Sequence, residues 1–533
     1  MFSQLLTPVG ASLPYSFLVA AAPIALVLVL MGIVRRAAWE ASLAGLALGL
    51  VLAATAWKMP VGLALDSAAA GAVFALWPIM WIVVNALILF NIAVNSGRFD
   101  ALRSWVERRL PDDRRIVLVV IGFCFGALLE GVAGFGSPVA ITSALLIMTG
   151  FEPLEALTFT LIFNTAPVAF GALGAPVTTL AAVTGLPDHI LGAMIGRQLP
   201  FFALLLPFYV IGVYGGLRSI RALWPILLVA GGSFAITQFV VSNWLNYALT
   251  DVLASLVSLA VCTAFLSVWR PAPDPAFALR RAAPVEATTK VVPAWQGWLP
   301  WLLVSAVVIV WTTLKFSAIG QMKIAWPGLD NAIQITLYHK PYAAIWTFQP
   351  LATGTAILVA ALITAPLVGC GPRGFLKAAV GAWRQSRLAI LTVCAIVALA
   401  YVMNYSGMNY TLGLAVASAG VAFPFLSAFL GWIAVFLSGS DTSGNALFGN
   451  LQVVAARQLS LSPVLFAATN SSGGVMGKMI SPQNISTGVS TTELKGQEGR
   501  VLARTFKHSL ALTILLGLLV VAQAKLFPGV IPG

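Results

Sequence analysis

Three ionisable residues stand in apolar sequence where charge is out of place: Glu130, Asp441 and Lys478. Glu130 lies in Leu128-Leu-Glu-Gly-Val-Ala-Gly-Phe-Gly-Ser-Pro138, about 14 residues into the segment that follows Arg115. As a helix that is roughly 20 Å, well inside a bilayer. Gly131, Gly134, Gly136 and Pro138 interrupt the helix directly after it. Broken backbone at such depth is tolerated only where protein or a wet cavity satisfies it. An ionised carboxylate without a partner there is costly, which suits Glu130 to carrying a proton. The plainer reading is a carboxylate that pairs with a buried cation or accepts from backbone amides. Asp441 lies in Leu437-Ser-Gly-Ser-Asp-Thr-Ser-Gly-Asn445. Its hydroxyls, its amide and the N–H groups of a half-helix start can hold an anion. Asp441 itself reads as a coupling site or as an N-cap. Lys478, a rare intramembrane cation, lies in Asn470–Pro482; its partner is either a substrate carboxylate or an internal one, Glu130 or Asp441. The stretch Gly473–Lys478 fails as a phosphate loop, because Ser472 stands where the first Gly should be and Met479 replaces the required Ser or Thr. No other nucleotide motif occurs, so ATP is not expected to drive this protein.

The elements that must position these residues are apolar. Of 533 residues, 59% are hydrophobic and 9% charged, where a soluble chain carries about 25% charged residues. That deficit excludes a soluble enzyme, a disordered protein and a nucleic-acid binder. The net charge of +13 comes from basic residues in short loops between apolar runs, which is the membrane pattern. Spans are expected at Phe17–Val34, Ala41–Trp57, Ala68–Val94, Phe201–Gly215, Trp224–Val241, Val252–Trp269, Pro300–Thr313, Leu351–Val368, Leu388–Met403, Leu412–Leu437 and Leu510–Ala524. Two further stretches, 116–190 and 424–492, are apolar but broken by Gly, Pro, Asn, Ser and Thr. No strand-like alternation occurs, so the expectation is a helical bundle rather than a barrel. Most Lys and Arg fall in groups after the first span, at 98–115, 218–221, 270–290, 373–387 and 495–507. Placing all of them in the cytoplasm leaves both termini outside. It also makes 314–350 an external loop and 270–298 a cytoplasmic linker. No Lys or Arg precedes Arg35, so the first run lacks the basic start of a signal peptide and is expected to stay as a helix. Cys124, Cys262, Cys370 and Cys394 form no CxxC and read as packing residues. His189, His339 and His508 fall at span ends or loops, Arg197 and Arg457 near apolar segment ends. The 16 Trp, with Trp295, Trp298 and Trp301 clustered, read mostly as interfacial.

The two broken stretches resemble each other. Asn164-Thr-Ala-Pro-Val-Ala-Phe-Gly171, continuing to Pro176, aligns with Asn470-Ser-Ser-Gly-Gly-Val-Met-Gly477, continuing to Pro482, at one offset of 306. Upstream, Phe151-Glu-Pro153 aligns with Leu461-Ser-Pro463, and Gly134 with Gly444, at an offset of 310. Asp441 then falls one position from the equivalent of Glu130. By charge, the first copy is entered from the cytoplasm near Arg115 and the second from an external turn near Asn404–Asn409, so the copies run in opposite senses. Paired interrupted segments in inverted halves point to the midplane site of a secondary transporter. The chain divides into N-terminal spans (1–115), a first broken core (116–190), spans of the first half (191–269), the linker (270–298), spans of the second half with the external loop (299–423), a second broken core (424–492), and a cytoplasmic segment with the last span (493–533).

At these motifs the sequence resembles the bacterial L-lactate permease family, which also transports glycolate. The resemblance covers nearly the whole chain. It rests on Gly122-Phe-Cys-Phe-Gly126, Leu129-Glu-Gly-Val-Ala-Gly-Phe-Gly136, Asn164–Gly171, Gly196-Arg-Gln-Leu-Pro200, Gly439-Ser-Asp-Thr-Ser443 and Gly474-Val-Met-Gly-Lys-Met-Ile-Ser-Pro-Gln483. It implies proton-coupled uptake of small 2-hydroxycarboxylates across the inner membrane, and kinship with ion-transporter folds built on two re-entrant hairpins.

The combined expectation is an all-α polytopic membrane protein with two inverted repeats, re-entrant hairpins and about 12–14 membrane segments. It would carry L-lactate or glycolate with H⁺, with no cofactor, no metal and no nucleic-acid partner, surrounded by lipid. Glu130 and Asp441 are assigned to proton coupling. Gly134, Gly136, Ser137, Asn164, Thr165, Thr442, Ser443, Asn445, Asn470, Ser471 and Lys478 are assigned to substrate. A Na⁺-coupled carboxylate carrier is the alternative, since Ser/Thr/Asn-rich tips also suit Na⁺. An intramembrane enzyme would need a nucleophile–base or metal constellation, and none of the three histidines neighbours such a set.

Overall fold

Long runs of Ala, Leu, Val and Gly in a bilayer can satisfy their backbone only as helices. The computed structural model, which describes residues 1–134, 137–279, 292–490, 492–494 and 497–532, follows that rule. Among the described residues, nine helical stretches are long and apolar enough to cross a membrane. A bent pair, Pro153–Phe163 and Val168–Thr184, turns through 64° at its break, and Pro138–Met148, Leu299–Thr313 and Thr353–Leu367 are shorter apolar helices. The protein is a polytopic, predominantly helical membrane protein. Outer helices leave Leu18, Leu217, Ile236, Leu362 and Leu518 exposed, as lipid-facing surface requires. The stretch Arg114–Val132, which ends just past Glu130, is 94% buried and lies at the centre.

Close packing around that centre depends on glycine. Helices Phe423–Ser438 and Pro463–Lys478 lie against each other with almost no side chain between them. A methyl group on Gly431 would overlap the Asn470 carbonyl oxygen, one on Gly473 that of Ala428, and one on Gly477 that of Trp432. Small residues four apart allow such backbone approach between membrane helices.

Several expectations need correction. The single span expected over Leu412–Leu437 is two helices, Met408–Ala417 and Phe423–Ser438, separated where Gly420 takes a φ of +54°. The helical run Leu199–Val240 folds back at Gly216, whose φ of +70° separates the two spans expected there. The 314–350 loop, expected to be external, carries short strands. Met322–Ala325 pairs antiparallel with Ile345–Phe348, and Ile333–Ile335 pairs with Lys340–Pro341 and, in parallel, with Phe2–Ser3 at the N-terminus. Strands of two to four residues are too short to print an alternating pattern. The basic loop after the third span contains a helix, Arg98–Glu107, and Arg115 is not a free loop cation. Arg115 is buried, 2.6 Å from Asp113 and 3.5 Å from Asp274, with its guanidinium stacked on Phe277. Trp301 and His508 are buried against the rest of the protein, and His508 Nδ1 lies 2.5 Å from the Tyr209 hydroxyl. Residues 280–291 of the expected linker lie outside the described residues.

Candidate functional site

The first broken core delivers a carboxylate and an amide. Helix Gly126–Val132 carries Glu130, and Gly134, with a φ of +55°, ends that segment against Ala172. After helix Pro153–Phe163 the chain breaks at Asn164, and Ala172, Leu173 and Gly174 all have positive φ. This left-handed turn is strained backbone for Ala and Leu, of the kind that collects at functional sites. It brings Gly171 beside Glu130, where a Cβ would sit 3.0 Å from the carboxylate. Asn164 Nδ2 donates to Glu130 Oε2 at 3.0 Å.

The second broken core delivers a cation and a second carboxylate. Lys478 ends helix Pro463–Lys478, and its Nζ lies 2.6 Å from Glu130 Oε1. Both side chains are almost fully buried, 3% exposed for Glu130 and 7% for Lys478. Ala172, 306 residues before Lys478 in the chain, lines the same cleft, so the two breaks meet at one point. Asp441 opens helix Asp441–Gln458, but the N-cap is Ser440, whose hydroxyl accepts from the Ser443 N–H. Asp441 is therefore free of capping. Its Oδ2 accepts from Ser471 Oγ at 2.5 Å and Asn445 Nδ2 at 3.2 Å, while Oδ1 has no partner among the described residues. Gly474 makes room for it; a Cβ there would overlap Oδ1. Asn470 Nδ2 donates to Asn445 Oδ1 at 2.9 Å, and Gln452 Nε2 donates to Asn470 Oδ1 at 2.8 Å.

Glu130, Gly134, Asp441, Thr442 and Lys478 thus share one cleft, with Ala172, Pro176, Ser440 and Gln483 in its wall. The cleft has about 30 Å³ of free volume, room for one water and too little for a hydroxy acid. Asn164, Asn445 and Ser471 stand behind the carboxylates and hold them, and Asn470 holds Asn445. Thr165 instead bonds the Ile162 carbonyl, 2.7 Å away within its own turn, and Ser443 serves the cap. Gly136 and the Ser137 side chain lie outside the described residues. Sequence reasoning missed Gln483, Ala172 and Asp251. Asp251 is fully buried, with both oxygens unpartnered among the described residues, and its Cβ packs against Gly131, next to Glu130.

Apolar spans around one buried, charged cleft formed by two broken segments make this a multi-pass membrane protein. The comparison with known proteins makes the class specific. The chain belongs to the L-lactate permease family, whose model matches residues 16–527. It is similar to the glycolate permease GlcA of Escherichia coli, 41% identical over 99% of each chain. It is as similar to the L-lactate permease of Bacillus subtilis, 41% identical over 100% of each chain. Among solved structures, the YdaH transporter of Alcanivorax borkumensis matches with a TM-score of 0.44 and 14% identity, covering 83% of this chain and 84% of that one.

Proposed function

We propose that the protein is a secondary transporter that takes up L-lactate and related 2-hydroxymonocarboxylates such as glycolate, together with protons, across the inner membrane. Two inverted halves would alternate access to the cleft, with both termini outside. The observation that carries the reading is the buried Glu130–Lys478 pair. A substrate carboxylate entering the cleft competes with Glu130 for the Lys478 ammonium. When it wins, Glu130 loses its counter-ion in a medium where an unpaired charge is costly. Taking up one proton removes that cost. Empty and loaded clefts then carry the same net charge, so each anion travels with one proton. Asn164 retains its bond to Glu130 in either state, which keeps the carboxyl in place for its return to Lys478. The 41% identity to permeases named for L-lactate and for glycolate supports the substrate class.

Asp441 is the second carboxylate. Its unpartnered Oδ1 and the hydroxyls of Thr442 and Ser471 also suit a Na⁺ ion, which is the one observation favouring Na⁺ coupling. Uptake of radiolabelled L-lactate and glycolate into proteoliposomes separates the two. An inward proton gradient in Na⁺-free buffer should drive accumulation, and a protonophore should abolish it. Accumulation that requires Na⁺ and ignores the protonophore would replace the proton by Na⁺.

A further inference from the structure

A polar hollow separate from the cleft lies against the small sheets of residues 322–348. This cavity has a volume of about 320 Å³, against about 30 Å³ in the central cleft. Its wall contains two cations, Lys340 and Arg457, and no Asp or Glu. Neither cation has a carboxylate within ion-pair distance among the described residues. Both instead flank the ring of Tyr338, the ammonium 5.8 Å and the guanidinium 5.4 Å from its centroid. The Tyr338 hydroxyl is buried with no hydrogen-bond partner among the described residues. The wall is therefore rich in donors and positive charge without a resident anion group.

Two helices connect this cavity to the cleft. Asp441–Gln458 starts with Asp441 in the cleft and ends with Arg457 in the cavity. The run Gly171–Thr184 likewise has Pro176 at the cleft and Thr184 at the cavity. Their seam is polar. Asn445 Nδ2 donates to the Pro176 carbonyl at 3.2 Å, Asn404 Nδ2 to the Val183 carbonyl at 3.0 Å, and Asn450 Nδ2 to Asn404 Oδ1 at 2.7 Å.

We infer that the cavity is a second binding site for a small monocarboxylate anion, an anteroom from which the central cleft is loaded. Lys340 and Arg457 attract the anion, the Tyr338 hydroxyl donates to it, and the asparagine seam gives it polar contacts on the way to Asp441 and Lys478. The identity of the anion rests on the carboxylate-permease reading; the charge preference does not.

Trp326 and Trp346 line the cavity and supply a signal. The purified Lys478→Met protein, in which the central cleft lacks its cation, is titrated with L-lactate while tryptophan emission is followed. Emission should change saturably, and Trp326→Phe with Trp346→Phe should remove the change. Lys340→Gln with Arg457→Gln should raise the half-saturating concentration about tenfold; both side chains are exposed, so the fold should tolerate their loss. Lys340→Arg with Arg457→Lys should restore binding, and uncharged methyl lactate should give no response. A titration that the Gln substitutions leave unchanged, or no titration at all, overturns the inference. Lack of lactate uptake by the unsubstituted protein, with the cavity titration intact, would fault the transport reading alone.

Discussion

At the scale of residues, the account turns on one ion pair that must be broken to work. Glu130→Gln keeps the size of the side chain but leaves the Lys478 ammonium with no counter-ion. Breaking a buried pair from one side costs about 3–5 kcal/mol, so the ligand-free variant should melt earlier than the unsubstituted protein. The substrate no longer competes with Glu130, so L-lactate should bind more tightly and raise the melting temperature further than it does in the parent. Adding Lys478→Met should recover the stability and lose the extra lactate stabilisation that comes from the central cleft. Thermal melts with and without L-lactate check both; equal lactate stabilisation in the parent and in Glu130→Gln would show that the two carboxylates do not share Lys478. The sequence made Glu130, Asp441 and Lys478 legible because charge at membrane depth is rare and expensive. It left open whether Lys478 faced substrate or an internal acid, because that depends on two segments 348 residues apart in the chain. Asp251 was missed for the same reason: in sequence it is an ordinary acidic residue in the first turn of helix Thr250–Val268, and only the contact with Gly131 puts it beside the site.

At the scale of elements, the spans follow directly from hydropathy, while their breaks follow from individual glycines and from tertiary context. Gly420 and Gly216 end helices through a positive φ, a role that glycines inside helices do not announce. Gly431, Gly473 and Gly477 do something different, since they sit in helical backbone and serve only the approach of Phe423–Ser438 to Pro463–Lys478. Gly473→Ala should separate these helices, cost about 1–3 kcal/mol in stability and displace Lys478 from Glu130, lowering transport as well. Gly232→Ala, where a Cβ meets nothing within 4 Å, is the control and should leave both unchanged. Melting temperature and initial uptake rate of the two variants check this; a fully stable, fully active Gly473→Ala protein would contradict the packing. The strands over 322–348 were illegible because each is too short to alternate, and one of them pairs with residues at the opposite end of the sequence.

At the scale of the molecule, two broken segments meet so that Ala172 and Lys478, 306 residues apart, line one cleft. The sequence offered Glu130 or Asp441 as an internal partner for Lys478, but carried no measure of the cleft, which has room for about one water. With Glu130 already occupying Lys478, the carrier would be able to reorient without substrate, and opening of the cleft by an anion and a proton together would let it accumulate one. The central claim is that Glu130 carries the coupled proton, and the most direct test is L-lactate flux in proteoliposomes containing Glu130→Gln protein, folded and lactate-bound by the melts above. Net accumulation driven by an inward proton gradient should vanish, while exchange of external for internal lactate should persist, because exchange needs the loaded cleft to reorient but never needs Glu130 to release a proton. Proton-driven accumulation by that variant at the parent rate would contradict the account and move the proton to another group, Asp441 first.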